Sequence, residues 1–203
     1  RRAGEGEREL RAGDWHGWRP THLMGRALQG KTLGIIGMGR IGKAVSRRCA
    51  LGFGMKVVFF NRSKVDDCDD IGAVQLGSVI DVCAAADFVS LHCAASPDTF
   101  EIMNAAAFDA MQSDAFVINT ARGDVIDESA LIAALDKGSI GGAGLDVFQG
   151  EPDINPGLLA ASNTVLLPHL GSATLETRTA MGLKVVDNLR AFFASQPLVD
   201  PVV

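Results

Sequence analysis

The stretch that decides the fold runs from Thr32 to Val45 and reads TLGIIGMGRIGKAV. Its front half is an apolar run of strand character. Its back half places Ile41, Ala44 and Val45, and then Cys49, at helical spacing. Gly37, Gly39 and Gly42 stand at the junction, each with its own reason for being glycine. The first permits a tight turn, the second lets a pyrophosphate approach the backbone, and the third lets helix and strand pack closely. Phosphates would then lie on a helix N-terminus, where unbonded N–H groups and the helix dipole favour anions. A glycine pattern alone is weak evidence. This one has a strand before it, a helix after it and a second strand at the expected distance, and it predicts dinucleotide binding.

Further apolar runs follow: KVVFF (56–60), DFVSLH (87–92), AFVINT (115–120), GGAGLDVF (141–148) and TVLLP (164–168). Most are near-continuously apolar, as parallel strands covered on both faces should be. Asp127 can cap a helix carrying Leu131, Ala134 and Leu135, and Gly138 can end it. A last helix is expected over about residues 173–194, with Met181, Val185, Leu189 and Phe192 on one stripe. Strand and helix in alternation predict an α/β fold, a Rossmann-type doubly wound parallel sheet. Three segments are expected: a charged lead over 1–30 with a short helix and both tryptophans, a nucleotide-binding domain over 31–172, and a C-terminal helix and tail over 173–203.

The second strand ends on VVFFNRSK (57–64), where an acid would hydrogen-bond both ribose hydroxyls and repel a 2′-phosphate. Asn61 removes that repulsion, while Arg62 and Ser63 offer a planar cation and a hydroxyl to the phosphate. The cofactor is therefore read as NADP(H) over NAD(H). The alternative is a polar turn from which Asp66 or Asp67 reaches back to the ribose.

Composition narrows the classes. With 47% hydrophobic and 21% charged residues and a net charge of -5, the chain has no basic surface for nucleic acid. No apolar run approaches the roughly 18 residues of a membrane span. Cys49, Cys68, Cys83 and Cys93 have neither CxxC spacing nor histidine partners of the zinc kind. They read as small hydrophobes in a reducing cytoplasm, with no metal site.

Three more stretches follow strands, where open α/β sheets bind ligands. INTARGDVID carries Arg122, GLDVFQGEP carries Asp146 and Glu151, and LLPHLGSAT carries His169. A cation, a carboxylate and an imidazole beside a nicotinamide suit reduction of a 2-keto acid. His169 would protonate the developing alkoxide. Glu151 would favour its imidazolium form. Arg122 would grip the substrate carboxylate or carbonyl, and Asp146 would orient the nicotinamide amide.

Taken together, GDWHGWRP, LQGKTLGIIGMGRIGKAV, VSLHCAASPDT, INTARGDVIDESAL, GAGLDVFQGEP and LLPHLGSAT resemble the D-isomer-specific 2-hydroxyacid dehydrogenases. Within that family the chain is most similar to the glyoxylate/hydroxypyruvate reductases. The resemblance implies Arg122, Glu151 and His169 as the catalytic set. It implies cofactor contacts from Gly37, Gly39, Arg40, Ile41, Gly42, Asn61, Arg62, Ser63, Cys93, Thr99, Thr120, Ala121, Asp146, Gly171 and Ser172. It also implies a two-domain protein with the cofactor between the domains, a homodimer, and a small 2-keto acid as substrate.

Two departures stand out. Ala94 replaces the proline that usually follows the HC pair, which should loosen one wall of the nicotinamide pocket. Only about thirty residues precede the first strand, where the family carries a substrate domain. The expectation is a chain shortened at its front that binds NADP(H) but reduces glyoxylate poorly by itself, the second wall of the cleft being absent. Competing readings are a phosphoglycerate or D-lactate dehydrogenase, an NAD(H)-sensing corepressor-like scaffold, and a nucleotide domain that only holds a dimer together.

Overall fold

A computed structural model describes residues 2–201 of the chain. Two compact units are present, Arg1–Leu167 and Pro168–Val203. The first contains a seven-stranded, all-parallel sheet. Its strands are β1 (Thr32–Ile36), β2 (Lys56–Phe60), β3 (Val74–Gln75), β4 (Phe88–Leu91), β5 (Phe116–Asn119), β6 (Gly142–Leu145) and β7 (Thr164–Leu166). They lie in the order β3-β2-β1-β4-β5-β6-β7. The order reverses at β1, which places the topological switch point between β1 and β4.

Alternation along β1 shows how the sheet is sealed. Leu33 and Ile35 pack into one buried cluster with Met38, Val57 and Phe59. Ile36 packs into the other, larger cluster with Val82, Val89, Leu91, Val117 and Leu145. Successive residues thus serve opposite faces, and both faces are apolar because both are covered. Gly34 is needed on the second face. A Cβ there would lie 2.6 Å from Val82 Cγ1 and 2.8 Å from Ala86 Cβ, so helix α3 (Val79–Ala85) rests directly on the strand.

The remaining helices of this unit are α1 (Ala3–Ala12), α2 (Arg40–Phe53), α4 (Ala105–Ala110), α5 (Glu128–Lys137) and α6 (Pro156–Ala160). As expected, the Asp127 side chain caps α5 by accepting from Ala130 N, and Gly138 ends it in the left-handed conformation. Asp87 fastens the entrance of β4 to β1, its Oδ1 2.7 Å from Lys31 Nζ and its Oδ2 2.8 Å from Thr32 N. Burial works against that carboxylate's charge, but the Lys31 and Thr32 bonds outweigh it and hold the group below its ordinary range.

The structure departs from the sequence expectations at several points. The strands stop one to three residues before most of the apolar runs do, because the last residues leave the ladder to form the loops at the sheet's carboxyl edge. β3 and the short helices α3, α4 and α6 were not foreseen. Ile41 does not join the core face of α2 with Val45 and Cys49. It is exposed in the first turn, beside the glycine loop. The lead holds α1, none of whose residues is buried. His22 Nε2 lies 2.9 Å from Glu9 Oε2, and Trp15 and Trp18 are exposed.

The second unit holds α7 (Leu175–Phe193), capped by Thr174 Oγ1 accepting from Thr177 N. The tail folds back on it, with Lys184 Nζ 2.9 Å from Asp200 Oδ2 and Asp200 N donating to Asn188 Oδ1. The expected stripe is there, but Met181, Val185, Leu189 and Phe192 are all more than half exposed. Among the described residues no helix is long and apolar enough to cross a membrane.

Candidate functional site

The three glycines of the first loop meet three different surroundings. At Gly37, φ is 96°, and a Cβ would fall 2.7 Å from Cys93 N and 2.8 Å from the His92 carbonyl carbon. The turn after β1 is therefore pressed against the backbone leaving β4, at the switch point itself. At Gly42 a Cβ would sit 2.3 Å from Gly37 O, so α2 can approach the loop only through a glycine. At Gly39 a Cβ would meet no protein atom within 4 Å. Nothing among the described residues requires that glycine, whereas a phosphate resting on the loop would. The N-terminus of α2 has no side-chain cap and no acid in its first turn, and its first residue is Arg40. An anion fits there on every count.

Beside this loop lies the end of β2. Asn61 Oδ1 accepts from Met38 N (3.3 Å), and Asn61 Nδ2 donates to Ser63 O (3.0 Å) and Ser63 Oγ (3.2 Å). The amide thus ties the glycine loop to the turn that presents Arg62 and Ser63, both exposed. Arg62 Nη1 reaches Asp98 Oδ2 at 3.0 Å. Asp66 pairs with Lys64, and Asp67 pairs with Lys43.

Across the sheet, the loops after β5 and β6 are locked together. Buried Asn119, at the end of β5, donates from Nδ2 to Arg122 O (2.8 Å) and accepts at Oδ1 from Ala121 N (3.0 Å). It thereby shapes the Thr120–Arg122 turn. Arg122 itself is exposed, and its Nη1 donates to Ala121 O (2.6 Å). At Gly123 a Cβ would lie only 2.0 Å from both the carbonyl carbon and oxygen of Phe148. The backbone after Arg122 is thus in direct contact with the backbone before Glu151. Glu151 Oε1 accepts from Phe148 N (2.9 Å), and buried Glu128 accepts from Gln149 N (2.8 Å). Gln149 Nε2 closes the network on Ile126 O (3.0 Å). Asp146 is buried at the end of β6, where its N–H donates to Asn119 O (2.9 Å).

Between the two loop pairs, His92 and Cys93 follow β4. His92 Nε2 lies 2.9 Å from Ser90 Oγ, and burial lowers the imidazole's pKa. Burial raises the thiol pKa of Cys93 and pushes that of Cys83 up to about 12, so neither is primed as a nucleophile. Thr99 ends a short 3-10 turn, Pro97–Thr99. Its Oγ1 donates to Ala94 O (2.6 Å) and accepts from Ser96 N (2.9 Å). His169, Gly171 and Ser172 belong to the second unit. His169 has φ 52°, a left-handed conformation uncommon outside glycine, and the turn continues with Ala173 N donating to Leu170 O.

The first unit thus gathers Gly37–Gly42, Asn61–Ser63, Cys93, Thr99, Thr120–Arg122, Asp146 and Glu151 onto the carboxyl ends of its strands. Asn119, Gly123, Glu128 and Asp98 were not singled out from the sequence. An asparagine closing an apolar strand, and a glycine directly after the key arginine, were the available signals for the first two.

Residues 1–171 match the model of the D-isomer specific 2-hydroxyacid dehydrogenase, NAD binding domain. The chain is 41% identical over 196 residues to a glyoxylate reductase of Thermococcus litoralis, covering 95% of this chain and 59% of the relative. It is 40% identical over 195 residues to a glycerate dehydrogenase of Hyphomicrobium methylovorum, covering 95% and 60%. An NADPH-dependent glyoxylate/hydroxypyruvate reductase from Sinorhizobium meliloti, solved with NADP and malonate, superposes with a TM-score of 0.91. That pair shares 36% identity and covers 98% of this chain and 61% of the other. The chain therefore spans about three fifths of the length of these relatives. With the glycine loop, the switch point and the locked β5 and β6 loops in place, it belongs to the D-isomer specific 2-hydroxyacid dehydrogenases and is folded as their NAD-binding domain.

Proposed function

We propose that the chain binds NADP(H) and carries the chemical groups of a reductase that interconverts small 2-keto and 2-hydroxy acids, glyoxylate or hydroxypyruvate first. The observation that carries this reading is the backbone contact at Gly123, which fastens the Arg122 loop to the Glu151 loop at the ligand-binding edge of the sheet. When bound, the nicotinamide would supply or accept the hydride. Arg122 offers a guanidinium fork to the substrate's carboxylate or carbonyl oxygen and stabilises charge developing there. His169 gives the proton to the alkoxide oxygen, or takes it in the oxidative direction. Glu151, its carboxylate anchored on Phe148 N, is the carboxylate of the set. Asp146 orients the carboxamide of the nicotinamide.

The preference for NADP(H) over NAD(H) rests on exposed Arg62 and Ser63 at the end of β2 and on Asn61 where an acid would repel a 2′-phosphate. Asp66 and Asp67 are each engaged by a lysine. The Sinorhizobium relative, solved with NADP, supports the same preference. The names of the Thermococcus and Sinorhizobium proteins support glyoxylate and hydroxypyruvate as first substrates. The exposed Trp15 and Trp18 of the lead support a homodimer contact there, which sizing chromatography checks. Four free cysteines suit a cytoplasmic setting.

The test is steady-state turnover by the intact protein with NADPH across a panel of 2-keto acids, with NADPH affinity measured on the same sample. Turnover of glyoxylate or hydroxypyruvate is expected. His169→Ala should abolish it while keeping NADPH affinity. Unchanged turnover in that variant rejects His169 as the acid. NADPH binding without turnover of any 2-keto acid favours the pure nucleotide holder.

A further inference from the structure

We propose that Asp98 sets the strength of the NADP(H) preference by competing with the 2′-phosphate for Arg62. This rests on the reading of Arg62 given above. β2 and β4 flank β1 on either side, so the loops leaving their carboxyl ends face each other across the glycine loop. The Arg62–Asp98 pair bridges them, Nη1 to Oδ2 at 3.0 Å between residues 36 apart in the chain. The bridge therefore spans the place where the ribose end of a dinucleotide enters at a switch point.

The two partners are held differently. Asp98 stands in a braced turn, its neighbours Ser96 and Thr99 bonded to each other through Ser96 N and Thr99 Oγ1 (2.9 Å). The ion pair itself is open to water, with the side chains 88% and 71% exposed. An ion pair so exposed is weak and exchanges readily. A phosphate monoester carries more charge than a carboxylate and has three acceptor oxygens, so it takes the guanidinium from Asp98. Asp98 then remains beside the phosphate with its cation withdrawn, and the two anions repel. NADH presents a hydroxyl at the same position and feels neither effect. Asp98 thus acts as a specificity-determining residue, weakening NADPH binding without touching NADH binding.

The experiment is calorimetric titration of NADPH and NADH into the wild-type chain, Asp98→Asn, Asp98→Glu and Arg62→Ala at low salt. Asp98→Asn should raise the NADPH-to-NADH affinity ratio about threefold, as expected for one exposed charge pair. Asp98→Glu, which keeps the charge, should leave the ratio near wild type. A ratio unchanged or lowered in Asp98→Asn overturns the proposal, as does an equal rise in Asp98→Glu. Arg62→Ala separates the two levels. A fall in its ratio with no rise in Asp98→Asn removes only the role of Asp98. No change in Arg62→Ala removes the NADP(H) reading itself. Matching thermal unfolding midpoints for all four proteins exclude a folding cause.

Discussion

The two rims of the sheet's carboxyl edge are built by different means. The Arg122–Glu151 rim is fastened by backbone against backbone at Gly123 and by the buried side chains Asn119 and Glu128. The Asn61–Lys64 rim is fastened by exposed ion pairs and by amide bonds at its first residue. Buried, satisfied polar groups cost a great deal to disturb, whereas exposed ion pairs contribute about 1 kcal/mol or less. The rim assigned to chemistry is therefore rigid. The rim assigned to choosing between cofactors can change its side chains without endangering the fold.

The largest expected effect breaks the rigid rim. In Gly123→Ala the new Cβ would overlap the Phe148 carbonyl at 2.0 Å, and backbone there cannot swing aside as a side chain can. We expect a loss of about 3 kcal/mol, measured by urea unfolding, with turnover falling further than NADPH affinity. A variant as stable as wild type would show that the two loops are not pressed together.

A second prediction sharpens the comparison at the β1–β4 seam, where His92 N donates to Ile36 O at 2.8 Å. Burial lowers the His92 pKa from its ordinary 6.5, so below that pH the unfolded chain binds a proton that the folded chain refuses. Stability should be complete above that pH and decline as pH falls toward the lowered folded value. His92→Gln should flatten this slope below about pH 6.5, read from urea midpoints. An unaltered slope would place the titrating group elsewhere.

The smallest effect belongs to the soft rim. Arg62→Ala should shift unfolding stability by about 0.5 kcal/mol or less, even as cofactor choice changes. A larger loss would mean that the exposed bridge to Asp98 braces the fold, and the contrast between the rims would weaken.

What could be read from the sequence follows the same division. The strands were legible because residues such as Ile35, Val89 and Val117 lie in runs apolar on both faces, and the glycine loop because its three glycines carry a fixed spacing. β3 was hidden because two residues, Val74 and Gln75, are too few to show a period. The helices α3, α4 and α6 span at most seven residues, less than a helical pattern needs to declare itself. The stripe on α7 showed a helix but not its surroundings, since periodicity reports a face and not what covers it. The Arg62–Asp98 bridge and the Gly123–Phe148 contact join residues distant in the chain, and only the fold brings them together. The loops that carry Arg122 and Glu151 follow strands legible in the sequence. What fastens those loops together was not legible.

Gly39 has one further consequence. Its neighbours Gly37 and Gly42 answer to the polypeptide's own atoms, while a side chain at position 39 would meet no atom of the described residues within 4 Å. A library screened for solubility would pass serine or alanine at 39 and reject them at 37 and 42. The same library screened for retention on immobilised nucleotide would reject all three, so the middle glycine marks where selection for folding ends and selection for ligand begins.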